Sequence, residues 1–150
     1  MSGDAFHFST SIKIRFRDLD AFGHVNNAVY FTYMEMARTE YFTHVGLLKR
    51  EQSLSFSGNE RPPVFFILAE AACQFKAPIQ MDTQLIVKTR VHGLHNSSFA
   101  MEYHFIDQVT GQIVAIGRTI NVTYDYSASR SVPMPKEWRA ALTTFEELSI

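Results

Sequence analysis

The sequence predicts an α+β fold in which a five-stranded antiparallel sheet wraps one long central helix. Three observations predict it. Between Tyr30 and Tyr41 apolar residues recur every three or four positions, the period of a helix with one buried face. Elsewhere apolar and polar side chains alternate at every second position, as in half-buried strands. The order is strand, helix, then four strands joined by short turns, so a single long helix must be covered by one face of the sheet. The other face and any open edge then need a partner, and self-association is expected.

Each element has its own local reason. Ser11 to Arg17 sets Ile12, Ile14 and Phe16 against polar neighbours and reads as the first strand. Asp18 to Asn26 holds turn-forming Asp, Gly and Asn and reads as a loop. Asn26 or Asn27 can cap the helix that carries Tyr30, Tyr33, Met34, Ala37 and Tyr41, and Gly46 ends it. Lys49 to Pro63 is polar, closes on two prolines and reads as a loop. Val64 to Phe75 is a long strand, apolar at every odd position from Phe65, with Val64, Phe66 and Leu68 extending apolarity to its second face. Part of it is therefore expected to be covered on both sides. Gln84 to His92, Ser98 to Ile106 and Gln112 to Tyr124 are the remaining strands, the last two joined by a hairpin loop at Asp107 to Gly111. Lys136 to Leu142 forms a short helix behind Pro133 and Pro135.

Bulk properties set the frame. A chain of 150 residues with 46% hydrophobic residues matches one domain, spanning residues 1–150, with one sizeable core. A net charge of −1 gives no general attraction to nucleic acid or to anionic membranes. No apolar stretch reaches the roughly 18 residues of a membrane span, and no signal peptide is read at the N-terminus, so a cytoplasmic location is expected. The single cysteine, Cys73, allows no internal disulfide and fits a reducing compartment. Thirteen phenylalanines suit an apolar ligand tunnel or a broad subunit interface equally well.

Chemistry concentrates between Arg17 and Arg38. Asp18 and Asp20 lead through Gly23 into Asn26 and Asn27 and then into the helix. A carboxylate is thereby set beside a helix N-terminus, where free N–H groups and the positive end of the dipole can polarise a carbonyl. Asp20 alone could simply shape its loop, and Asp18 is better placed to shape the turn or to pair with Arg15 or Arg17. Asn26 and Asn27 are caps first and ligand contacts second. His24 fits either an orienting or substrate-binding role or a hydrogen bond within the loop. Tyr30 fits the core or the wall of an acyl pocket. Glu35 and Arg38, three apart, suggest an ion pair on the helix.

These residues resemble the hotdog-fold acyl-CoA thioesterases of the 4-hydroxybenzoyl-CoA thioesterase type. The similarity is carried by Arg15 to Asp20, Gly23-His24-Val25-Asn26-Asn27, Tyr30 and Tyr33 to Arg38. It continues more weakly through Asn96 to Phe99 and Pro135 to Arg139. The resemblance implies hydrolysis of an acyl-CoA to free acid and CoA, with neither metal nor organic cofactor. It assigns Asp20 the part of general base or nucleophile and gives the backbone N–H at Asn27 the thioester carbonyl. His24, Asn26 and Tyr30 would contact substrate, and Ser98 would join from a neighbouring subunit. A homo-oligomer, most naturally a dimer of dimers, follows from the same likeness.

Other chemistries find less support. No G-x-S-x-G stands in the chain, and Cys73 sits on the apolar face of a strand, where cysteine is usually inert packing. His92 and His95 bracket Gly93 without a third metal ligand at convincing spacing. Glycine-rich phosphate loops are absent, which leaves CoA phosphates to scattered bases such as Lys88, Arg90 or Arg130. Two alternatives belong to other classes. Hotdog hydratases also pair Asp with His, but five residues apart with Asn-Pro between them, whereas Asp20 and His24 are four apart without it. A non-catalytic acyl-thioester binder has no need of Asp20.

Overall fold

The computed structural model describes residues 5–48 and 64–148, so the expected loop Lys49 to Pro63 lies outside the described residues. The elements run β1 (Phe8–Ile12), a 3-10 turn (Phe16–Asp18), α1 (Val29–His44), β2 (Val64–Phe75), β3 (Leu85–His92), β4 (Ser98–Asp107), β5 (Ile113–Asp125), β6 (Arg130–Ser131) and α2 (Lys136–Glu146). All pairings are antiparallel, in the order β1-β3-β4-β5-β2, with β6 beside the end of β5. The α+β class stands. Among the described residues the expected five strands become six, because the chain past β5 turns back at Asp125, whose Oδ1 accepts the N–H groups of Ser127 and Ala128.

Periodicity located the helix correctly. Tyr30, Tyr33, Met34, Ala37 and Tyr41 are all buried against the sheet, and Phe42 joins them. The helix starts later than the asparagines suggest. Ala28 is its N-cap and has no side-chain cap; Asn26 instead accepts the Ala28 N–H on Oδ1 and the Val29 N–H on its carbonyl, both at 2.9 Å. At the other end Leu47 N–H bonds to Phe42 O and Gly46 N–H to Thr43 O, which occupies the last free carbonyls. Close approach of α1 to the sheet depends on Gly117 of β5, where an added Cβ would collide with Met34 Sδ.

Three strand-level expectations change. The first strand is Phe8–Ile12 rather than Ser11 to Arg17, because Asp18 pulls the chain into a turn, accepting the Arg15 N–H at 3.0 Å; Ile14 stays buried while Phe16 is left 83% exposed. In β2 the odd-number pattern holds for only half the strand. A bulge between Leu68 and Glu70 switches parity, so Phe66 and Leu68 before it and Ala71, Cys73 and Phe75 after it share the α1 side of the sheet. This strand is an edge, and from Leu68 to Ala72 it is exposed rather than covered on both faces. Finally, α2 runs four residues beyond Leu142, because Phe145 packs edge-on against Tyr41 and Glu146 is buried. The Glu146 carboxylate accepts the Tyr41 hydroxyl at 2.5 Å and the Val91 N–H at 2.8 Å, tying α2 to α1 and β3.

Candidate active site

The loop before α1 is built around two aspartates with different tasks. Asp18 Oδ2 accepts the Tyr33 hydroxyl at 2.7 Å as well as the Arg15 N–H, fastening the loop to the helix. The Tyr33 phenol is pushed well above its ordinary range, by burial first and by this carboxylate second. Its role is structural, as the sequence suggested. Asp20 holds the loop from inside: Oδ1 accepts the Phe22 N–H at 2.8 Å and the His24 N–H at 3.2 Å, and the Asp20 N–H donates to His24 O at 2.7 Å. The tight reversal needs a positive φ, supplied by Gly23 at +82°. A short ladder, Leu19 against Val25 and His24 against Gln80, carries the loop across to the chain past β2.

Oδ1 of Asp20 is thus committed to the loop, while Oδ2 accepts no hydrogen bond among the described residues. The Asn27 N–H, likewise, has no acceptor among them, although its neighbours at Asn26, Ala28 and Val29 do. Both residues line a cavity of about 250 Å³. Asp20, His24, Asn27 and Tyr30 line it from one side, and Phe75 and Lys76 from the end of β2. Tyr30 is buried, with its ring 4.8 Å from that of Phe75 and 5.5 Å from that of Phe105. Burial, then the nearby Cys73 thiol, raises its phenol above the ordinary value. A carboxylate and a residue with an unpaired N–H donor, lining one small cavity, are the group types that chemistry at a carbonyl requires.

Of the residues singled out in the sequence, Asp20, His24, Asn27 and Tyr30 share this cavity. Asn26 adjoins it, with its side-chain oxygen already engaged by Ala28. Ser98 does not come near it within one chain. It opens β4 at the end opposite Phe105, seven residues and roughly 23 Å away. The sequence reading missed Phe75 and Lys76, for nothing in the local pattern says that the end of β2 returns beneath the start of α1. Cys73 lies half-buried on the same strand, its thiol pushed up to about 11 by burial, which suits packing rather than attack. Among the described residues no three His, Cys, Asp or Glu side chains gather as a metal site, and no helix is long and apolar enough to cross a membrane.

The chain as a whole is similar to known thioesterases. The thioesterase-like superfamily matches residues 14–142. The Escherichia coli long-chain acyl-CoA thioesterase FadM is 26% identical over 133 residues, covering 89% of this chain and 95% of that protein. The chloroplastic acyl-acyl carrier protein thioesterase ATL2 of Arabidopsis thaliana is 35% identical over 89 residues, covering 59% of this chain but only 43% of the relative. Among solved structures, a thioesterase from Thermus thermophilus complexed with coenzyme A and Zn superposes with a TM-score of 0.78 at 29% identity, covering 98% of this chain and all of that one. With a family match over residues 14–142, across the cavity, all of α1 and the first part of α2, the chain belongs to the thioesterase-like superfamily, a family of thioester hydrolases.

Proposed function

We propose that the protein is an acyl-CoA thioesterase, working as a single domain over residues 1–150 and as a homo-oligomer in the cytoplasm. The observation that carries this reading is the shared cavity: Asp20, with one carboxylate oxygen uncommitted, and Asn27, with its N–H unpaired among the described residues, both line it. The thioester carbonyl binds the Asn27 N–H, which stabilises negative charge as it develops on oxygen. In the general-base route Asp20 takes a proton from water, water oxygen bonds to the carbonyl carbon, and the C–S bond breaks. CoA leaves as thiolate and is protonated. In the nucleophilic route Asp20 itself attacks, and water then hydrolyses the resulting anhydride. His24 and Tyr30 border the acyl group, Asn26 holds the donor loop in place, and Ser98 reaches the site from a second copy.

Purified protein with a panel of acyl-CoA and acyl-carrier-protein thioesters, followed by free-thiol release, tests this. Turnover should fall by roughly a hundred- to ten-thousandfold in Asp20→Asn, the range expected for losing a positioned base. Undiminished thiol release in Asp20→Asn would sink the proposal. Hydration of an enoyl-CoA without thiol release, or tight binding without turnover, would move the chain to another activity on the same fold.

A further inference from the structure

The sheet face beneath α1 is not wholly apolar. Tyr103, Thr119 and Asn121, none more than 1% exposed, lie side by side on β4 and β5. Tyr103 Oη and Thr119 Oγ1 are 3.1 Å apart, and Asn121 Nδ2 donates to the same Thr119 oxygen at 3.1 Å. Arg38 reaches this group from α1, with Nη1 donating to Tyr103 Oη at 3.3 Å. Its side chain is only 11% exposed, and its Nη2 forms the ion pair that the spacing suggested with the Glu35 carboxylate, 69% exposed and 3.8 Å away. A guanidinium carries five N–H donors. Among the described residues Arg38 spends one on a hydrogen bond, to Tyr103, which leaves donors open to water or a ligand.

Arg38 also lines a second cavity of about 250 Å³ between α1 and β2. Phe31, Met34, Leu68 and Ala71 give it apolar walls, and Arg38, Thr119, Thr32 and Glu35 make up its polar part. It is displaced from the Asp20 cavity along both elements, toward the C-terminus of α1 and the start of β2, and the two share no lining residue. Asn27 stands eleven positions before Arg38, just ahead of the first residue of α1, and helical side chains lean toward the N-terminus. The guanidinium therefore stands roughly 10–16 Å from the carbonyl donor, the span of roughly eight to twelve extended carbons.

We propose that Arg38, held by Tyr103, determines acyl specificity by donating to an oxygen at the far end of the acyl group. The preferred substrate class is then a medium-length acyl thioester with a terminal hydroxyl, oxo or carboxyl group rather than a plain hydrocarbon tail. This rests on the thioesterase reading, in which the acyl group leaves the Asp20 cavity along the α1–β2 groove.

The test compares decanoyl-CoA with ω-hydroxydecanoyl-CoA. In the unaltered protein kcat/KM should favour the hydroxylated substrate by about ten- to a hundredfold, the worth of a hydrogen bond to a charged group. Arg38→Met should bring the ratio near one while hydrolysis of decanoyl-CoA persists. Arg38→Lys, which keeps the charge, and Tyr103→Phe, which loosens the guanidinium, should give intermediate ratios and serve if Arg38→Met does not fold. Calorimetric binding of non-hydrolysable thioether analogues to Asp20→Asn protein reads the same preference without turnover. If that preference appears and depends on Arg38 while no thioester is cleaved, the specificity assignment stands and the thioesterase reading falls. If cleavage proceeds with no preference for the oxygenated chain, or with one that Arg38→Met leaves intact, the assignment of Arg38 is overturned. Absence of any preference in both turnover and binding overturns it as well.

Discussion

At Asp20 one side chain has two oxygens with separable duties. Oδ1 accepts two backbone N–H groups of the loop, and Oδ2 is left uncommitted among the described residues on a side chain that lines the cavity. Asparagine keeps an oxygen in the first position, so Asp20→Asn should melt close to the unaltered protein while losing turnover. Alanine removes the acceptor too, and should cost about 1 kcal/mol of stability in addition. A thermal melt of both variants separates loop-building from chemistry; equal melting of the two would mean that water replaces Oδ1 without loss. Glu102, on the opposite face of the sheet, provides a pH prediction. Its burial favours the neutral acid, but the Arg90 guanidinium, with Nε 2.8 Å from Oε1, outweighs that and holds the carboxyl below its ordinary value near 4.5. A lowered folded-state value means that the pair's stabilisation is present above the unfolded-state value and is lost as pH falls through the folded one. Unfolding free energy should therefore drop below about pH 4.5 more steeply in the unaltered protein than in Glu102→Gln, as denaturant titrations across pH 3–6 would read.

Among the elements, α2 depends on one buried carboxylate for its position. Glu146 takes the Tyr41 hydroxyl from α1 and the Val91 N–H from β3, a donor that β1 does not reach because its pairing stops at Phe8 opposite Thr89. Burial first, and Glu146 second, push the Tyr41 phenol well above its ordinary range. Glu146→Ala leaves both donors without a partner in a dry site. The expected loss is about 3 kcal/mol, or roughly 6–12 °C in Tm for a chain of this size. Glu146→Gln retains an acceptor and should lose clearly less. Calorimetric melting distinguishes them, and equal damage from the two would show that the charge, not the acceptor, holds the helix.

For the molecule as a whole the telling surface is β2. It is the last strand of the sheet order and is rich in apolar residues, with Leu68 and Phe75 each 46% exposed. A long apolar edge invites pairing with another strand, and lysine on an edge opposes it. Ala72→Lys, at an exposed position away from the core, should shift the protein toward smaller species in sedimentation velocity. Turnover should fall with that shift if Ser98 acts from a second copy. An unchanged sedimentation coefficient would place the association elsewhere.

Helix α1 was legible in the sequence because its burial follows a local period: five apolar positions at spacings of three and four are all buried. The strands of the second half were legible for the same reason, and their expected ends differ from the observed ones by a residue. Asp20, His24, Asn27 and Tyr30 could be named in advance because one continuous loop and helix start supplies them. What the sequence could not reveal came from contacts between distant segments. The bulge in β2 depends on register against β5, not on any residue of β2 itself. Phe75 and Lys76 enter the site only because β2 ends beneath the start of α1. Arg38, which reads locally as half of a helical ion pair with Glu35, is turned under the helix to Tyr103, 65 positions away in the chain. By itself the sequence determined the local periods and the aspartate loop, because those depend on neighbours along the backbone. Only the tertiary structure decided which strand lies at the edge, what completes the cavity and where the buried cation points, because these depend on pairings that no local pattern encodes.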